Sequence, residues 1–438
     1  MPHPLASRRR RRVLLVVATC LALATTLLAP GVAGAHARLT ASTPADGSTV
    51  AATPDDVVLD FSGAVTVQQG SVEVFAPDGS RVDVGAPTTA QGGTRVTQAI
   101  NTDATGTFGV AYRVSSEDGH VVTGSLSFSI GSAGSGGGRG SAAATRDAAA
   151  VDRTVQAAYS SARFIEVLAL LVAAGGGLFA CCIAPGWRPR GLVAAISVLL
   201  LALAAGYVLN AAIVHGGGIG GAFDPTVIGR SSRTPFALSV RIRALVALVA
   251  LGPALLLRFD QGRLGPAARW SMAPVFVVLA ASMSITGHAV TTAPTALRMP
   301  LDMLHVTAAA IWVGGLVQLA RLAPRASRHV VWLVRFSRTA FASVLVILAT
   351  GTYATFAELG LHPAELIDSR YGRIVLAKLL LYAATMPLAW NNMTAFVPAI
   401  RERPEDAPGM LRQYVQRELF LLVVVIGLTV WLIATPQP

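Results

Sequence analysis

Two groups of side chains in this 438-residue sequence have the types and spacing to hold a metal ion. The first joins Asp118 and His120, which flank Gly119 in the run Ser115-Ser116-Glu117-Asp118-Gly119-His120, to the distant His36. At that spacing a carboxylate and an imidazole can point to one side of a loop. His36 follows Ala33-Gly34-Ala35, a small-x-small pattern closing an apolar leader. Cleavage after Ala35 makes His36 a new N-terminus, whose α-amine and imidazole form a bidentate chelate. An α-amine pKa of about 8 lets a metal displace the proton at modest cost. Three nitrogens and one oxygen in tetragonal array suit Cu(II). The second group is Asp302 and His305, three residues apart, with Met299 and Met303 one turn apart beside them and His288 upstream. Imidazole and thioether ligands suit Cu(I). The adjacent Cys181 and Cys182 are soft ligands too, although small apolar filler is the commoner role of such a pair in an apolar helix.

The elements that must position these residues differ sharply along the chain. Arg8–Arg12, the apolar Val13–Leu28 and the helix-breaking Pro30 make residues 1–35 a secretory signal peptide. Residues 36–131 are rich in Thr, Ser, Gly and Asp, contain no Met or Cys, and alternate with period two. Val57, Leu59 and Phe61 alternate; Val72 and Val74 connect through Asp78-Gly79 to Val82 and Val84. Phe108, Val110, Tyr112 and Val114 form another strand, and Val122, Gly124, Leu126, Phe128 and Ile130 the next. Short strands with regular turns predict an antiparallel β-sandwich or barrel. Residues 132–157 read as a flexible Gly/Ser/Ala linker.

Residues 158–438 carry apolar runs near 161–184, 191–214, 234–257, 270–289, 301–322, 339–358, 372–395 and 418–435. Each approaches the ~20 residues that span a bilayer, so an all-α membrane domain of about eight helices is expected. The whole chain is 53% hydrophobic and 13% charged. Its net charge of +12 lies in short loops that alternate along the domain, such as Arg258 to Arg269 and Arg321 to Arg338. This bias reads as topology, with the β-domain outside the cytoplasm, and not as nucleic-acid binding. On that map His215, His288, His305 and His362 sit toward the outer side, and only His329 is cytoplasmic. Ionisable residues inside spans are functional candidates. Arg163 and Glu166 can pair at three residues' spacing, and Arg241, Arg243 and Lys378 face a polar interior or snorkel.

Two resemblances follow. Residues 36–131 resemble the CopC family of periplasmic copper-binding proteins through His36-Ala37-Arg38-Leu39, Ser42-Thr43-Pro44-Ala45-Asp46-Gly47, Leu59-Asp60-Phe61-Ser62 and Ser116-Glu117-Asp118-Gly119-His120-Val121-Val122-Thr123-Gly124. The resemblance implies a cupredoxin-like, immunoglobulin-like Greek-key sandwich that holds Cu(II) in a histidine brace of His36, Asp118 and His120. Many members carry Glu after the Phe-Ser pair, where this chain has Gly63. Residues from about 160 to 435 resemble CopD, the inner-membrane copper-transport partner of CopC. Matching stretches are Thr286-Gly287-His288-Ala289, Leu301-Asp302-Met303-Leu304-His305-Val306, Trp312-Val313-Gly314-Gly315-Leu316, Arg335-Phe336-Ser337, Thr350-Gly351, and Tyr371-Gly372-Arg373 with Lys378. This resemblance implies His288, Asp302 and His305 as a membrane copper site.

The function expected is therefore copper binding outside the bacterial cytoplasmic membrane and copper transfer across it, for import or for homeostasis and resistance. The expected partners are copper ions, the lipid bilayer and an intramolecular contact between the two domains. No Walker-type loop is present in the sequence, which argues against ATP-driven pumping. No catalytic residues and no enzyme activity are expected. The competing readings are a haem-binding electron-transfer protein or copper reductase using His288 and His305, and an oxygen-activating brace enzyme, in which Asp118 would occupy the position that oxygen needs.

Overall fold

A computed structural model describes residues 37–116, 121–131, 153–215, 223–232, 234–259, 264–285, 295–324, 329–359, 370–391 and 407–433, with isolated positions at 367, 394, 398 and 402. The first part is a two-layer β-sandwich. One sheet has the order β1 (Leu39–Thr43), β3 (Asp56–Phe61), β7 (Arg95–Ile100), β6 (Asp83–Ala90). The other runs β2 (Thr49–Val50), β9 (Val121–Ile130), β8 (Gly106–Ser116), with β4 (Val65–Thr66) and β5 (Val72–Phe75) sharing the far edge of β8. All pairings are antiparallel except β2 with β9.

The alternation in sequence becomes the core. Val57, Leu59 and Phe61 meet Val72, Val74, Val96, Phe108, Val110, Val114, Leu126 and Phe128 between the sheets. Phe108 and Phe128 stack across β8 and β9 with ring centroids 5.4 Å apart. Gly124 lies opposite Tyr112, and a Cβ there would come 2.2 Å from the Tyr112 hydroxyl, so the glycine admits the ring. The Asp78-Gly79 turn forms as expected. Asp78 accepts from the Ser80 amide at 2.9 Å and Gly79 takes φ +91°. Its two strands, however, enter different sheets, which leaves Val84 exposed at 52%.

The second part is a helix bundle: α1 (Arg153–Leu178, continued by a π turn Phe179–Ile183), α2 (Leu192–His215), α3 (Pro225–Ser231), α4 (Pro235–Phe259), α5 (Pro266–Trp270), α6 (Ala273–Ala281), α7 (Thr295–Leu322), α8 (Val330–Leu359), α9 (Arg370–Asn391) and α10 (Ala407–Ile433). Among the described residues six segments are long and apolar enough to cross a membrane, from α1, α2, α4, α5 with α6, α7 and α8. Helices α9 and α10 lie along the last two stretches read as spans. Helix α1 starts at Arg153, so residues 153–157, expected to be linker, are helical. Val155 explains the early start, since it is buried against Ala212 and Ile213 of α2.

Glycines let the central helices touch. A Cβ on Gly175 of α1 would fall 1.7 Å from the Ala310 carbonyl of α7, and one on Gly314 would fall 2.6 Å from Gly175 Cα. Backbone contact of this kind is how helices associate in lipid, where hydrophobic drive is lacking. Gly315 receives the ring of Phe336 from α8, so two of the quoted motifs are two halves of one contact. The bundle's ends are also fixed. The Trp187 indole, in the turn after α1, donates to Gln318 near the end of α7 at 3.1 Å, and Arg321 donates to the Arg190 carbonyl. The starts of α1 and α7 therefore lie at the opposite end. There Val121 of the sandwich packs against the cluster of Val155, Ala212 and Ile213.

Candidate metal centre

His36, Asp118 and His120 lie outside the described residues, but their immediate neighbours do not. Ala37 is buried at 2%, and its amide donates to Ser116 Oγ at 3.2 Å across a sequence separation of 79 residues. Ser115 pairs with Val121, so β8 and β9 are paired directly on either side of residues 117–120. Arg38 is held alongside, its amide donating to Ser62 Oγ at 2.9 Å and its carbonyl accepting from the Ser62 amide at 2.8 Å. Thus the residue after His36, the residues on both sides of 117–120 and the residue before Gly63 converge on one end of the sandwich.

The other motifs in this domain are structural. The Asp46 carboxylate accepts from the Ser127 amide at 2.9 Å, and Gly47 takes φ +72° in that turn. Asp60 lies in a bidentate pair with Arg95 at 2.6 and 2.9 Å, and the guanidinium holds its carboxyl below the usual carboxylate range. Among the described residues no group of three His, Cys, Asp or Glu side chains is placed to hold a metal.

In the bundle, His288 also lies outside the described residues, and the side chain of His215 does too. Met299, Asp302, Met303 and His305 are all on α7 and all half-buried. Successive residues turn about 100° in an α-helix, so Asp302 and His305 share a face while Met303 projects about 160° away from His305. The helix thus brings carboxylate and imidazole together and turns Met303 elsewhere. Met299 lies nearer to Asp302 than to His305 in this projection.

His305 sits in a built seat on α8. Its Nδ1 is 2.8 Å from Thr350 Oγ1, and Thr350 Oγ1 is 2.7 Å from the Val346 carbonyl. A carbonyl can only accept, and Thr350 has a single hydroxyl hydrogen. With the hydroxyl hydrogen on Val346, Thr350 accepts from His305 Nδ1–H and the ring lone pair falls on Nε2; with it on Nδ1, the roles reverse. Such an outer partner fixes tautomer and orientation in metal-ligating imidazoles. Gly351 borders the ring: a Cβ there would lie 3.4 Å from His305 Cε1, an ordinary packing distance. The Thr350-Gly351 motif is the floor under His305.

Three family models match the chain in series: CopC domain over residues 39–131, Copper resistance protein D-like, N-terminal domain over 154–298, and Copper resistance protein D over 330–432. The chain is a CopC–CopD fusion. It is 26% identical over 368 residues to Copper transport protein CutJ of Bacillus subtilis (strain 168), a match over 80% of this chain and 66% of that relative. The fusion thus spans just under two thirds of the relative's length. Among solved structures, CopC from Methylosinus trichosporium OB3b is 30% identical, matching 22% of this chain and 93% of its own at a TM-score of 0.20. PcoC, a methionine rich copper resistance protein from Escherichia coli, is 26% identical over 22% of this chain and 99% of its own, at a TM-score of 0.19. With its CopD region and long apolar helices, the fusion is an integral membrane protein.

Sequence reasoning found part of one buried polar cluster of the fusion's bundle and missed a second. Arg163 and Glu166 pair at 2.7 Å as the spacing suggested, but Glu166 also accepts from Arg243 of α4, and Arg243 is 1% exposed. Arg241 does the bland thing, donating to backbone carbonyls of Ser232 and Ala237. In the second cluster Glu418 of α10 is buried and accepts from the Tyr414 hydroxyl and the Trp312 indole. The signal for it was present: a carboxylate at the head of an apolar run, one turn after a Tyr.

Proposed function

We propose that the fusion captures Cu(II) outside the membrane with His36, Asp118 and His120, and that copper, once reduced to Cu(I) by an external one-electron reductant, passes to a site around His305 and Asp302 for inward transport. His36 acts through its imidazole and, after cleavage at Ala35, through its α-amine. Reading the β-domain as outside follows the arginine bias of the loops. The observation that carries the proposal is the convergence of Ala37, Ser115, Ser116 and Val121. Residues 79 positions apart meet at the sandwich end where the brace residues attach.

Two further features support a relay. Val121, the residue after His120, packs against the same end of the bundle from which α7 starts. His305 lies ten residues into α7 from that end, roughly 15 Å along the axis. Delivery across a tethered, short gap gains from high effective concentration. The copper-resistance name of two matched families and the copper-transport name of the Bacillus subtilis relative agree with this reading. Copper is cargo here, so Thr350, which holds Nδ1 of His305 and leaves Nε2 for the metal, is a positioning residue of the transport site.

The capture step is tested by electron paramagnetic resonance on the mature, full-length chain loaded with one equivalent of Cu(II). A tetragonal signal with nitrogen splittings is expected. His36→Ala and His120→Ala should each change the splittings and weaken binding. Unchanged spectra in both variants would remove the brace from the account.

A further inference from the structure

At the end of the bundle away from the β-domain, arginines gather around a fixed turn. The chain passes from the π turn Phe179–Ile183 to the start of α2 at Leu192. Between them the Arg190 amide donates to the Arg188 carbonyl at 2.8 Å and the Leu192 amide to the Pro189 carbonyl at 3.1 Å. Two contacts fasten this turn to the end of α7. The Trp187 indole donates to Gln318 at 3.1 Å, and Arg321 donates to the Arg190 carbonyl. Gly191, at φ +89°, makes the second contact possible. A Cβ there would come 2.6, 2.7 and 2.9 Å from Nη1, Nη2 and Cζ of Arg321, so the guanidinium lies over the glycine. Its fork is therefore positioned in advance of any ligand, which lowers the ordering cost of binding. Arg188, Arg190 and Arg321 are all exposed.

An apolar strip leads away from this corner. On α2, Ala194, Val198 and Leu201 follow at helical spacing and are all exposed, Leu201 at 70%. The strip begins about one turn beyond Arg190. In an integral membrane protein such a strip lies against acyl chains, and arginines at the helix ends lie at the level of the headgroups. Guanidinium forks match phosphate oxygens in geometry as well as charge. Free phosphate meets the arginines alone, whereas a phosphodiester with an apolar tail meets both parts of the corner.

We propose that this corner binds one anionic phospholipid, its phosphodiester held by Arg188, Arg190 and Arg321 and an acyl chain laid along Ala194, Val198 and Leu201. The charge complementarity is direct. Like charges on one turn repel, and a phosphate among them turns that repulsion into attraction. Basic pockets between membrane helices take anionic headgroups in this way. The lipid joins the turn before α2 to the end of α7, so its binding stabilises the folded bundle.

The test uses the full chain, purified in neutral detergent, stripped of lipid and offered equal amounts of phosphatidylglycerol and phosphatidylcholine of one acyl length. Native mass spectrometry should show one phosphatidylglycerol retained. The same lipid should raise the melting temperature where phosphatidylcholine does not. Arg188→Gln with Arg190→Gln changes two exposed side chains and should weaken retention about 30-fold, the loss of two guanidiniums from a headgroup site. Arg321→Gln should weaken it too; if that variant does not fold, the exposed pair decides. Arg335→Gln with Arg338→Gln removes the same charge from exposed positions on α8 and should leave retention at the wild-type level. Glycerophosphoglycerol, the headgroup without its acyl chains, should not displace the lipid at equal concentration. No preference for phosphatidylglycerol in wild type overturns the proposal, as does unchanged retention in the Arg188 and Arg190 double variant or in folded Arg321→Gln. Equal losses in the two double variants overturn it in favour of the general charge of this end. Displacement by glycerophosphoglycerol overturns it in favour of a simple phosphate site.

Discussion

The β-sandwich and the helix bundle treat charge in opposite ways. In the sandwich the described ion pairs lie at the surface: Arg95 with Asp60, and Arg81 with Glu73 and Asp83. The end proposed to carry the brace is assembled by backbone and serine hydrogen bonds, with no described ion pair. In the bundle, Arg243 and Glu166 are paired with almost no exposure. His305 is held by a hydroxyl, and Glu418 by a hydroxyl and an indole. The lesson concerns how mutations should read. Surface charges of the sandwich can change with little effect on folding, whereas charges in the bundle are part of its fold. Function in the bundle must be probed by near-isosteric variants.

The strongest test of this contrast is Arg243→Ala. It leaves Glu166 with only Arg163, and breaking one side of a buried pair costs about 3–5 kcal/mol. A large fall in melting temperature of the detergent-solubilised chain is expected, and the paired replacement Arg243→Met with Glu166→Leu should recover much of it. An unchanged melt for Arg243→Ala would place this pair with the surface ones. Gly175→Ala comes next. Its Cβ has no room against Ala310 and Gly314, and overpacking typically costs about 1–3 kcal/mol, read by the same melt.

Thr350→Val should fold normally yet weaken Cu(I) retention by the membrane domain by about 10–100-fold, the usual cost of losing an outer partner of a ligating imidazole. Thr350→Ser should retain it. Competition against a Cu(I) chelator measures both, and equal retention in all three proteins would make Thr350 a packing residue only. The smallest effect is expected for Asp60→Asn. Arg95 lowers the Asp60 pKa below its ordinary 3.8, so the pair's stabilisation is complete above that value and fades as pH falls through the lower folded value. Melts of wild type and Asp60→Asn should differ slightly at neutral pH and converge in acid. A gap that persists in acid would assign the effect to packing.

Much of this was legible in sequence where a regular period faces a single environment. Val57, Leu59 and Phe61 read as a half-buried strand because alternate residues are buried, as β3 shows. Spans were legible from apolar length, but their ends were not. Helix α10 begins at Ala407, well before the apolar run near 418, because Leu411 and Val415 bury one face while Arg412 and Arg417 stay exposed on the other. Likewise α8 begins at Val330, with Leu333 and Phe336 buried ahead of the run near 339. Local pairs such as Arg163 with Glu166 could be read from spacing; Arg243 with Glu166, 77 residues apart, needed the packing of α4 on α1. His305 was singled out as a ligand candidate, but its Thr350 partner lies 45 residues away on α8. The motif Thr350-Gly351 carried no chemistry until the helices met.

The account turns on copper entering the membrane domain from the captured site, and isotopic copper uptake measures this directly. Cells lacking the chain should be complemented with wild type, His36→Ala, His120→Ala and His305→Ala, and supplied with limiting 65Cu. Wild type should raise cell-associated copper, the two brace variants should fall short at low supply and recover at high supply, and His305→Ala should remain at the level of the deletion. Uptake that is unaffected by deletion, or that is restored fully by His305→Ala, would contradict it.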